Sequence, residues 1–127
     1  MTRMATLILV AASLALVVGC GGSSSPDVDS NKQVSATTSA EKISLCDWFV
    51  GMVGGYGASP TCSDGFLEAP ASQAECVSDF PVCAVTVGNF EACIRTIVSA
   101  QATCTSASLT AAQSDPICQM VGAAGCF

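Results

Sequence analysis

Eight cysteines lie between Cys46 and Cys126, and no histidine occurs anywhere in the chain. Such a segment folds either around metal or around sulfur–sulfur links. Zinc sites usually pair their ligands as Cys-x2-Cys with further Cys or His downstream. Here the closest two, Cys76 and Cys83, stand seven positions apart. The spacing therefore points to disulfides at Cys46, Cys62, Cys76, Cys83, Cys93, Cys104, Cys118 and Cys126, with no metal and no other cofactor. Eight thiols allow roughly a hundred connectivities, and sequence alone does not choose among them. A pairing of helical cysteines (Cys46, Cys76, Cys93, Cys118) with those in loops or at ends (Cys62, Cys83, Cys104, Cys126) would tie down each connection. The ninth cysteine, Cys20, makes the count odd, which needs its own explanation in an exported chain.

The start of the chain supplies one. Residues 5–18 (ATLILVAASLALVV) are almost unbroken apolar and follow Arg3. This is the charged and apolar pattern of a signal peptide, predicted over residues 1–19. The run is shorter than the roughly 20 apolar residues a membrane-spanning helix needs. It ends in Val17-Val18-Gly19-Cys20, which resembles the lipobox of bacterial lipoproteins, with Val17 where that family usually has Leu. The resemblance covers the first twenty residues. It implies lipidation of Cys20 on sulfur, cleavage before it, and acylation of the new N-terminus. Each buried CH2 contributes about 0.8 kcal/mol, so several acyl chains anchor far better than one. Gly21 in place of Asp implies sorting to the outer membrane of a Gram-negative bacterium. In general character the chain resembles small cysteine-rich lipoproteins of uncharacterised function.

After cleavage three basic residues (Lys32, Lys42, Arg95) face ten acidic ones, a net −7. That surface repels nucleic acid and anionic head groups. Membrane attachment is thus expected through lipid alone, with no nucleic-acid partner.

Residues 20–38 read as the lipidated N-terminus and a flexible tether of Gly, Ser, Thr and Asp with no aromatic residue. A free tether of that length spans roughly 25 Å. Asp27-x-Asp29-x-Asn31 opens like a calcium loop, but Lys32 and Thr38 occupy the positions of the required Gly and Glu, so it is not one. Residues 39–127 form the predicted domain. It is expected to be mostly α and disulfide-rich, with about four short helices, long loops and one short hairpin. Thr38-Ser39-Ala40-Glu41 and Ser72-Gln73-Ala74-Glu75 fit capping boxes. Thr86 caps a third helix, with Val85 and Phe90 as its hydrophobic staple. Asp115-Pro116 opens a fourth. The hairpin is placed around Asp64-Gly65, and Thr103 to Ser114 reads as loop. The expected core is Ile43, Leu45, Trp48, Phe49, Met52, Val53, Phe80, Phe90, Ile94, Ile97, Val98, Ile117 and Val121.

No catalytic constellation emerges. Without histidine the usual base near neutral pH is missing, and paired cysteines are not nucleophiles. Asp47, Asp64, Glu68, Glu75, Asp79 and Glu91 are the acids available for carboxylate-pair chemistry, and they read better as solvated faces and caps. The sequence thus predicts a lipid-anchored, non-catalytic envelope module that is either structural or binds an envelope protein whose identity the sequence does not give. The alternatives are a small inhibitor or secreted effector acting through residues 57–70, and an enzyme. Trp48, Phe49 and Tyr56 are the one aromatic concentration, read as core with a binding patch as the functional option.

Overall fold

In a computed structural model, residues 24–59, 62 and 67–127 are described. The signal peptide, the lipobox and the Asp64-Gly65 hairpin lie outside them. The domain is mostly helical. α1 spans Ser39–Val53, α2 Gln73–Ser78, α3 Val87–Gln101, α4 Ser106–Gln113 and α5 Pro116–Ala123. Among the described residues there is no strand, only a lone antiparallel bridge between Gln33 and Thr86, and no helix long and apolar enough to cross a membrane.

The helix ends follow local chemistry. Thr38 Oγ1 accepts from Glu41 N, and Glu41 Oε2 accepts from Thr38 N, which closes a full capping box on α1. Gly54 ends the helix at φ +102°, a left-handed conformation that costs a residue without Cβ little. At α2 the Ser72 side chain caps Glu75 N, but the Glu75 carboxylate reaches Ala71 N rather than Ser72 N. Thr86 and Asp115 cap α3 and α5, and Pro116 stands at the start of α5.

Three expectations about helices, core and tether are corrected. Thr103 to Ser114 is largely α4, capped by Thr105, with Leu109 and Ala112 buried three residues apart on its inner face. Ala-rich sequence has high intrinsic helicity, and one leucine suffices to seat it. In the core, Ile43 and Ile117 turn out to lie at the surface, 37% and 36% exposed, while Val34, Val85 and Val87 are sealed inside. α1 contacts α2 and α3 and buries Leu45, Cys46, Trp48 and Val50, which spread around the helix, so its burial does not follow a single stripe.

The third correction concerns the tether. Residues 25–35 lie antiparallel along residues 83–95. Val34 N donates to Val85 O at 2.8 Å, Ser35 N to Cys83 O at 3.1 Å, Val87 N to Lys32 O at 2.8 Å and Gly88 N to Ser30 O at 2.9 Å. Val34 is fully buried. Lys32 Nζ pairs with Glu41 at 2.7 Å, and that lysine, with the cap at Thr38, holds the Glu41 carboxyl down at about 2. A Cβ on Gly88 would sit 3.2 Å from Ser30, so glycine permits the close approach. Polar composition suggested solvation, but backbone groups pair regardless of side chain, and one buried valine fixes the register.

All eight cysteines downstream of Cys20 are paired: Cys46–Cys76, Cys62–Cys104, Cys83–Cys126 and Cys93–Cys118. The pairing joins like to like, helix to helix (α1–α2, α3–α5) and loop to loop, instead of helix to loop. The loops they close, 25 to 43 residues apart, each remove roughly 3.5–4 kcal/mol of unfolded-chain entropy. Such bridges mark a chain that folds in an oxidising compartment, outside the cytosol.

Val34→Ala should cost roughly 1–3 kcal/mol in urea unfolding with disulfides intact. An unchanged midpoint would mean that residues 25–35 do not dock.

Candidate functional site

α1 presents Leu45 and Phe49 one turn apart, and α3 presents Phe90 and Ile94 at the same spacing, so each pair lies on one helix face. The residues after α2 add Phe80 and Pro81, and those after α5 add Cys126 and Phe127. Together they wall a groove of about 220 Å³ with Asp79 at its edge. Phe80 and Phe90 stand 5.9 Å apart at 58°, and Phe90 and Phe127 stack at 6.4 Å and 25°. Lys42 Nζ lies 6.0 Å from the Phe80 ring centre. Phe127 is 63% exposed, so one end of this aromatic ladder is open to solvent.

Size and lining limit what the groove can hold. Sites for drug-sized ligands run roughly 300–1,000 Å³, whereas an apolar cavity of roughly 150 Å³ already takes a benzene ring. One or two apolar side chains of a partner fit the space. Among the described residues the lining offers no thiol, since its cysteines are in disulfides, and Asp79 brings the one carboxylate side chain. Among the described residues no cluster of three or more His, Cys, Asp or Glu could hold a metal ion.

The aromatic residues singled out in the sequence are not brought together as one patch. Trp48 is buried, and the Arg95 guanidinium lies 5.1 Å over its ring. Phe49 is half-buried in the groove. Tyr56 joins a polar knot in which its hydroxyl donates to Asp47 Oδ1 at 2.7 Å and Gln73 Nε2 donates to the same oxygen at 2.8 Å. Burial, then the Asp47 carboxylate, push the Tyr56 hydroxyl up to about 12.

The acids serve separate local purposes. Asp47 links α1 to α2 through this knot. Glu75 holds the entry to α2, Asp79 accepts from Ser78 Oγ at 3.0 Å, and Glu68 is exposed. Asp64 lies outside the described residues. Glu91 departs from the expected solvated role: it is buried in α3, desolvation raises its carboxyl, and Arg95 one turn on opposes that rise. In the segment 57–70, Gln101 Nε2 holds Leu67 O at 3.2 Å, and Cys62 is tied to Cys104.

Sequence reasoning missed the Phe80–Phe90–Phe127 ladder. Its members are far apart in the chain and share no local pattern. The one signal was adjacency to cysteines: Phe80 is close to Cys83 and Phe127 follows Cys126, so knowledge of that pairing would have brought both rings to one end of the domain.

No family model, curated protein or solved structure matches this chain. The site therefore rests on its own geometry.

Tyr56 is the one tyrosine of the chain, so an ultraviolet absorbance titration reads it directly. The expected midpoint is about 12 instead of 10.0, moving part of the way back in Asp47→Asn. The folded state keeps the proton longer than the unfolded state, so this contribution to stability is complete below pH 10.0 and is lost as pH rises to about 12. A midpoint near 10.0 would break the knot as drawn.

Proposed function

We propose that this chain is a lipid-anchored protein of the bacterial cell envelope, attached through Cys20, and that its domain is a non-catalytic protein-binding or structural module. One observation carries the reading. The four bridges consume all eight cysteines of the folded body, so none of them is left to bond Cys20, the residue that closes the lipobox-like Val17-Val18-Gly19-Cys20. Oxidised cysteines in the body and an apolar leader ahead of it both fit export. Gly21 after the modified residue favours the outer membrane of a Gram-negative cell.

The groove between α1, α3 and Phe127 is the surface through which the module would grip a partner. Aromatic rings grouped around an apolar, side-chain-sized recess are the kind of anchor point that dominates protein interfaces. A disulfide-bonded frame holds the recess in shape, which lowers the ordering cost of binding. The net charge of the mature chain selects against acidic partners.

Intact-mass spectrometry of the protein purified from membranes tests the anchor. The expected species starts at residue 20 and carries acyl mass on it, while Cys20→Ser accumulates as an uncleaved, unacylated precursor. A native protein beginning at Met1 with no added mass would overturn the reading.

A further inference from the structure

Docking of residues 25–35 changes what a lipid on Cys20 does to the domain. A free segment from Cys20 to Thr38 could extend roughly 60 Å, letting the body turn in any direction above a membrane. The chain instead is bonded to the body through its backbone from Ser30 onward, and its first side-chain contact is at Ser25, whose Oγ accepts from Arg95 Nη2 at 3.3 Å on the flank of α3. Five Cα steps separate Cys20 from Ser25, and they reach at most about 18 Å. A body of this length has a radius of gyration of about 13 Å, so the leash is shorter than the body is wide.

The direction of the docked segment tells which end is held near. It runs antiparallel to residues 83–95, so the chain leaves the body at Arg95 and its other end meets Cys83. Arg95 to Val87 is about 12 Å of helix, and Val82 lies beyond it, next to Cys83, which pairs with Ser35 ten residues along the docked segment from Ser25. The Val82 end thus belongs to the opposite end of the docked segment from the exit point.

We infer that the docked segment works as a short leash that fixes the domain's orientation, holding the Arg95–Ser99 flank of α3 against the phospholipid surface and pointing the Val82 end away. This rests on the lipoprotein reading and adds an orientation to it. The contact is imposed by tether length, not by affinity. Asp27 and Asp29 flank the exit point and are exposed, and Arg95 is the cation beside them, stacked on Trp48. The two carboxylates outweigh the one cation, so the set as a whole does not draw the domain to an anionic surface.

Photocrosslinking separates the possibilities. The lipidated protein is reconstituted in phosphatidylcholine vesicles with p-benzoylphenylalanine replacing Ser99 or, in a second sample, Val82. Both positions are exposed. Several-fold more lipid adduct is expected at Ser99 than at Val82. Inserting ten Gly/Ser residues after Gly22 adds up to about 35 Å of reach without touching the docked segment, and should bring the two positions level. Equal adducts at both positions in the acylated, uninserted protein would overturn the leash while leaving the anchor standing. A difference that survives the insertion would also overturn it, because the orientation would then come from surface affinity. Protein that carries no acyl chain and stays off the vesicles would remove the anchor reading, and this inference with it.

Discussion

Cys83–Cys126 and Cys93–Cys118 clamp α3 to the last part of the chain, Cys46–Cys76 fastens α1 to α2, and Cys62–Cys104 ties the connection between those two helices to the end of α3. The closed loops interlock: the segment spanned by Cys62–Cys104 overlaps each of the other three. None of the four can therefore open its loop without disturbing the packing that another holds. A domain this small buries too little apolar surface to be secure by packing alone. Three of its helices, α2, α4 and α5, run eight residues or fewer, with α2 having no buried residue of its own. Covalent restriction of the unfolded chain makes up the difference, and this is why the rest of the structure can be economical in core residues.

Two consequences follow for function. The bridge from Cys83 to Cys126 holds Phe80 and Phe127 at one end of the domain, beside Phe90 of α3, and so creates an aromatic recess that no single helix could present. The same α3 receives the N-terminal segment on another flank through Ser25, Ser30 and Lys32. One helix thus carries both the side that receives the N-terminal segment and the side that helps build the groove. A frame closed by four bridges lowers the ordering cost of any contact made through that recess.

Much of the fold was legible because helix ends are written locally. Thr38, Ser72, Thr86 and Asp115 were readable as caps, since a side-chain oxygen two or three residues ahead of a free backbone N–H is a short-range event. What was illegible depends on contacts made across the chain. Val34 sits in a stretch of Ser, Thr and Asp, and its burial comes from a partner segment fifty residues away. Leu109 looks isolated in a Ser/Ala-rich run until Ala112 joins it under α4. The pairing of cysteines followed neither helix nor loop membership, because it is set by which elements end up adjacent. The groove shared this difficulty: Phe49 was noticed for proximity to Trp48 and Tyr56, whereas its real companions are Phe80, Phe90 and Phe127.

Since the interlocked bridges underlie the groove, the docked segment and the oxidising address alike, the most direct test is proteolytic peptide mapping of the non-reduced protein with thiols blocked beforehand. The account predicts four linked peptide pairs, Cys46 with Cys76, Cys62 with Cys104, Cys83 with Cys126 and Cys93 with Cys118, and no blocked thiol among these eight. A crossed pair, or alkylated cysteine at any of the eight positions in natively purified protein, would contradict it.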